Sequence, residues 1–197
     1  MKKENYSDKD CNSDNEVITY SSYEEMVNDL AARGINKDIS NSATSHASVL
    51  LSAMFKNAKN HVNIYCEKLS DEVYDNADLI ENAISFTTKR KGQINIILEQ
   101  SVGNDFLDRP LIYKVGSALF RKKREGKSDE KKVGNLNVRT TSETSDHFTV
   151  MDNSAYREET DRLKRTAVAN FGNHENAIKL HTRFNKMFEN SNEALSI

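Results

Sequence analysis

The sequence predicts a mixed α/β domain, and three observations carry that prediction. Segments with helical and with strand periodicity alternate through residues 45–98. Residues 94–98 (INIIL) are nearly continuous apolar sequence, as a strand covered on both faces requires. Residues 147–157 read as two short strands around Asp152-Asn153-Ser154, whose side chains favour turns.

Taken in order, residues 1–18 are rich in charge, Asn and Ser and have no period, which predicts a disordered tail. Ser22-Tyr23-Glu24-Glu25 forms a capping box for a helix with Tyr23, Met26, Val27 and Leu30 on one face. Gly34 stops that helix. Residues 35–44 are polar, so 19–44 reads as an appended amphipathic helix and linker that packs on its own domain or on a partner subunit.

The main domain is predicted over residues 45–190. Ala47, Leu50, Leu51, Met54, Phe55 and Ala58 make a helical face, and Val62 and Ile64 alternate in a strand over 61–66. A helix over 78–89 ends in Lys89, Arg90 and Lys91, cations suited to a helix C-terminus, and Gly92 closes it. Pro110, the single proline, opens the next helix at its first turn, with Leu111, Val115, Ala118 and Leu119 as its face. Leu136 and Val138 mark a further strand. Helices and strands at this spacing predict parallel strands joined by crossovers. Residues 167–171 are a short strand, and Asn173 caps a helix carrying Ala177, Leu180, His181, Phe184, Met187 and Phe188 on its apolar face.

Composition bounds the function. The chain has 197 residues, 37% hydrophobic and 29% charged, with a net charge of −2. That length suits one domain with a real core. No apolar run is long enough to span a membrane, and the first residues lack the apolar core of a signal peptide. Cys11 and Cys66 do not make a disulfide framework. A cytoplasmic protein is the simplest expectation.

The order of a strand starting at His147, a turn, a strand with Tyr156-Arg157, a strand ending Asn170-Phe171, and a helix resembles the C-terminal part of a phospholipase D-like domain. The earlier helix–strand–helix–strand order resembles its first part, so the resemblance covers residues 43–188. The superfamily signature is His-x-Lys, four residues, then Asp, followed by a Gly-Ser-x-Asn strand end. His147 stands at the nucleophile position, Thr149 at the lysine and Ser154 at the aspartate. Ala167-Val168-Ala169-Asn170 falls on the later strand end, where only Asn170 matches.

The resemblance implies a phospholipase D-like half, a mixed sheet flanked by helices. Single-motif members of that superfamily place two histidines in one shared site, which implies a homodimer. It also implies no metal and no cofactor. Loss of the lysine removes a fixed charge from a phosphate site. Arg157, across the hairpin, can replace it if it shares the face of His147; otherwise it pairs structurally with Glu158 or Glu159.

Charge is unevenly distributed. Residues 117–140 hold eight Lys and Arg, among them Arg121, Lys122, Lys123 and Arg124, against three acids. Residues 121–132 read as a flexible basic loop, either contacting phosphates of a nucleic acid or simply solvated. No zinc spacing links the histidines, and no glycine-rich phosphate loop or nucleophile elbow occurs; His181 reads as a core histidine.

These readings predict a homodimeric, catalytically degenerate phospholipase D-like module. It binds a phosphate-bearing ligand (nucleic acid or nucleotide) or a protein partner through Arg157, Asn170 and Arg121–Arg124. The alternative is a divergent metal-independent phosphodiesterase or nuclease with His147 as nucleophile.

Overall fold

The computed structural model describes residues 6–7, 19–99, 104–125 and 133–197. Strands β1 (Tyr6–Ser7) and β2 (Thr19–Tyr20) pair antiparallel. The remainder of the stretch expected to be disordered lies outside the described residues. Helix α1 (Tyr23–Arg33) begins where Ser22 Oγ accepts the Glu25 N–H at 3.1 Å. The Glu25 carboxylate reaches back to the Ser21 N–H at 2.8 Å, one residue earlier than a reciprocal box would have it. Gly34 ends the helix at φ 62, a left-handed conformation that glycine adopts without a Cβ clash.

The appended helix packs on its own domain. Met26, Val27, Leu30 and Ala31 are buried in the same core as the central strands. Its end is fixed by a close backbone approach, since a Cβ on Gly172 would stand 2.4 Å from the Gly34 carbonyl oxygen. The linker expectation for residues 35–44 is corrected: β3 (Ile39–Asn41) lies within it and pairs antiparallel with β9 (Thr166–Asn170). A single apolar residue, Ile39, gives that strand little periodicity; the free edge of β9 supplies its ladder.

Helix α2 (Thr44–Asn57) leads to β4 (His61–Cys66), then α3 (Asp71–Tyr74), α4 (Ala77–Thr88) and β5 (Gln93–Glu99). A 3₁₀ turn (Asn104–Asp108) and α5 (Pro110–Glu125) precede β6 (Asn135–Thr141). β4, β5 and β6 are parallel, as the crossovers require. The chain then turns back through β7 (Phe148–Met151), β8 (Ala155–Asp161) and β9, and ends with α6 (His174–Glu189) and β10 (Asn192–Ser196). One sheet of eight strands results, ordered β10-β6-β5-β4-β7-β8-β9-β3. β5 sits inside it, with Ile94, Ile96 and Ile97 fully buried.

The sheet separates two cores. Helices α1, α2, α4 and α5 cover one face, and α6 alone packs on the other against Tyr65, Ile97, Phe148, Val150 and Tyr156. On the α6 side, Asn63, Asn95 and Asn137 stand side by side on β4, β5 and β6. Asn137 donates to Asn95 and Asn95 to Asn63, each at 2.9 Å, and Ser196 of β10 donates to Asn137 at 2.9 Å.

A second correction concerns the basic segment. Arg121, Lys122, Lys123 and Arg124 lie on the last turns of α5, not in a loop. No glycine or proline occurs between Gly116 and Gly126, and cations at a helix C-terminus oppose the negative end of its dipole. Residues 126–132 of the expected loop lie outside the described residues.

Candidate functional site

The C-terminal ends of β4 and β5, the start of β7 and the end of β8 meet at one end of the sheet. Antiparallel pairing places Thr149 opposite Arg157, and the Glu159 N–H donates to the His147 carbonyl at 2.8 Å, extending the ladder one pair further. Alternation along the strands then brings His147, Thr149, Arg157 and Glu159 to the face covered by α2 and α3. All four line a cavity of about 280 Å³ whose other wall is the start of α2, with Ser42, Ala43 and Thr44.

Both imidazole nitrogens of His147 are engaged. Nδ1 lies 2.8 Å from Glu159 Oε2, and Nε2 accepts the backbone N–H of Glu67 at 3.0 Å. With Nε2 accepting, Nδ1 is the nitrogen that donates to Glu159. Glu99 Oε1 stands 3.7 Å from Nε2. Burial works to raise the pKa of Glu159, but the His147 hydrogen bond and the charges of Arg157 and Arg162 outweigh it and hold the carboxyl below its ordinary range.

Arg162, in the turn after β8, organises the acids. Its guanidinium meets both Glu99 oxygens at 3.2 and 3.3 Å, Glu67 at 3.4 Å and the Ser145 carbonyl at 3.2 Å. Burial opposes its charge, yet Glu99 and Glu67 raise its pKa above the ordinary value. Tyr65 donates to Glu99 at 2.9 Å, and burial, with the Glu99 contact second, pushes its phenol pKa up, so it stays a donor. Among the described residues, Glu67, Glu99 and His147 bring ligand-type atoms within 4.8 Å of one another. Arg162 already balances those carboxylates and Nε2 faces an N–H, an arrangement built as a closed ion-pair cluster rather than an open cation seat.

Arg157 takes the position the sequence left open. It shares the face of His147, its side chain is 11% exposed, and its contact with Glu159 is long, at 3.9 Å. Its Nε is buried without a hydrogen-bond partner. The other expected site residues are elsewhere. Asn170 pairs with Tyr156, at the far end of β8 from Glu159, because β9 runs antiparallel to β8. Its amide is consumed by the Gly172 and Asn173 N–H groups and by Asn36 and Asp38, all at 2.8–2.9 Å. Arg121–Arg124 end a helix whose chain next enters β6 at Asn135, the sheet end opposite Glu99.

Ser154 also lies at that far end, bonded to the Met151 carbonyl. Two residues earlier, Asp152 accepts the N–H groups of Lys59, Asn60 and His61 at 2.9, 2.9 and 3.0 Å, tying the hairpin turn to the start of β4. His181 joins this far end, its ring 4.3 Å from that of His61 and its Nδ1 against Asn153. Burial, then the charge of His61, lowers its pKa.

No protein-family model matches the sequence, and no curated protein matches it. Solved structures do. TrmBL2, an archaeal chromatin protein described as showing a novel mode of DNA binding, superposes with a TM-score of 0.55 at 14% identity. That match covers 87% of this chain and 60% of the TrmBL2 chain, less than two thirds of its length. Nuc from Salmonella typhimurium, a phospholipase D family member, gives 0.54 at 12% identity over 80% of this chain and 99% of its own. NucT from Helicobacter pylori gives 0.53 at 11% identity, over 81% and 100%. At such identities the likeness is one of architecture. The eight-stranded mixed sheet between helices, with its hairpin at His147, is the phospholipase D-like fold.

Proposed function

We propose that this chain is a catalytically degenerate phospholipase D-like module that binds a phosphate-bearing ligand, nucleic acid or nucleotide, in the cavity beside His147. The observation that carries this reading is the engagement of His147 at both nitrogens. A nucleophile needs a free lone pair aimed at the reacting atom. Here the Nε2 lone pair is taken by the Glu67 N–H, and the Glu99 carboxylate beside it repels an incoming phosphate. Arg157, opposite Thr149, supplies a cation for binding without restoring the lysine of the signature. That TrmBL2, of similar fold, binds DNA is in keeping with nucleic acid as a ligand.

The module works as a homodimer in this reading. Leu163, 97% exposed, lies in the turn that also carries the cavity-lining Arg162 and Arg165 and suits a subunit contact beside the cavity. Sedimentation of the wild type is expected to give twice the chain mass, and Leu163→Asp to halve it; a wild-type monomer that binds ligand fully removes the dimer.

The test of function is a chromogenic phosphodiester assay without metal, run beside nucleotide and oligonucleotide binding. Hydrolysis is expected at background and unchanged by His147→Ala, while Arg157→Ala weakens binding. A second reading keeps His147 as nucleophile, favoured by the Glu159 carboxylate that orients its ring at 2.8 Å. Metal-independent turnover lost in His147→Ala, with a trappable phosphorylated intermediate, would establish it.

A further inference from the structure

We infer that the anionic group of the ligand is seated by the N-terminus of α2 together with Arg157, over Thr149 rather than on His147, and that the ligand is a phosphomonoester carrying an adjoining hydroxyl. This rests on the reading of the cavity as a binding site and adds the position and chemistry of its occupant.

α2 is a helix of 14 residues whose N-cap is Ala43, with no side chain accepting its first N–H groups and no acid in its first turn. The leading N–H groups of a helix have no partner within it, and the aligned peptide dipoles leave partial positive charge there. Ala43 and Thr44 line the cavity opposite Thr149 and Arg157. Such an end, open to a cavity, is suited to an anion.

Two buried side chains in the same cavity point independently to a ligand. Arg157 Nε is buried without a partner, and a guanidinium in that state seeks an acceptor. Asn41, next to the start of α2, is 4% exposed and lines the cavity, and its Oδ1 is also without a partner. Buried polar groups are seldom left so. The phosphate oxygens of a monoester satisfy Arg157 and the α2 amides, while a neighbouring hydroxyl donates to Asn41. Lys68 and Arg165, also lining the cavity, add positive charge around it. The volume of about 280 Å³ holds a small phosphorylated group, such as the end of a nucleotide, rather than a passing strand.

The decisive variant is Ala43→Asp. A carboxylate at the N-cap satisfies the α2 amides from within and repels an anion, so it caps the helix as it closes the site. Inorganic phosphate and glycerol phosphate serve as probes, followed by calorimetry and thermal shift at millimolar concentration. The wild type is expected to bind both, glycerol phosphate more tightly. Ala43→Asp should melt no lower than the wild type yet lose about tenfold or more in affinity, a difference of about 1.4 kcal/mol. Ala43→Ser, which caps without charge, should lose less. Asn41→Ala should erase the preference for glycerol phosphate. Undiminished binding by Ala43→Asp overturns the α2 seat; if Arg157→Ala still weakens binding, the cavity reading survives. A wild type that binds neither probe removes both.

Discussion

Thr149 and Arg157 form a directly registered pair across β7 and β8, one 2% exposed and the other with a side chain 11% exposed. A second long cation at Thr149 would face Arg157 directly across the pair. Restoring the signature by Thr149→Lys therefore sets a second charge against Arg157 in a buried place. The variant is expected to lose about 3 kcal/mol of stability, as an uncompensated buried charge does. Thr149→Lys with Arg157→Thr should recover much of it. A double-mutant cycle in urea checks the coupling, and additive losses would mean that the two positions do not share a slot.

Glu159 links stability to pH. Its folded pKa lies below its ordinary value of 4.5, so its contribution is complete above that value and is lost as pH falls through the folded one. The stability gap between wild type and Glu159→Gln should hold from neutrality to about pH 5 and close in stronger acid. A gap that ignores pH across that window would show that His147 and the arginines do not hold the carboxylate down.

Arg162 balances Glu99, whose side chain, at 6% exposed, is the most buried charged group of the cluster. Arg162→Ala strands that carboxylate and is expected to cost about 3 kcal/mol. Arg162→Met with Glu99→Gln, which removes both charges, should fold nearly as well as the wild type. Equal losses in the single and double variants would contradict a balanced pair.

Asp152 holds three backbone N–H groups at the opposite end of the sheet. Bonds to a charged acceptor are worth about 1.5–3 kcal/mol each, although they do not add fully. Asp152→Ala should cost about 3 kcal/mol or more, and Asp152→Asn less. Chemical denaturation gives the answer, and a loss below about 1 kcal/mol would make the anchor incidental.

How much of this was readable in the chain depends on where each signal resides. Residues 94–98 announce a buried strand because burial on both faces leaves four of the five positions apolar, Asn95 being the exception. Ser22, Gly34 and Asn173 announce helix ends because their chemistry acts on their own backbone. β3 was hidden because its ladder comes from β9, far along the chain. The end of α5 was misread because a helix tail free of tertiary contact carries no apolar period, only charge. That Arg157 shares the face of His147 follows from the hairpin, a local pairing. Glu67, Glu99 and Arg162 were missed, since they end separate elements that meet only once the sheet is assembled. Asn170 was misplaced because a linear motif does not reveal that β9 carries its end away from His147.

The row of Asn63, Asn95 and Asn137 bears on this assembly. Asn137 bonds to Asn95 and Asn95 to Asn63 across adjacent strands, so the row forms in one alignment of β4, β5 and β6. A slip of one residue would move a strand by about 3.3 Å and turn its side chains to the opposite face. Glu99, at the end of β5, would then leave Tyr65, His147 and Arg162 together. The three asparagines act as a gauge, setting the depth at which Tyr65 and Glu99, further along the same face of β4 and β5, enter the charged cluster. Damage there would be expected to reach the ligand cavity without touching any residue that lines it.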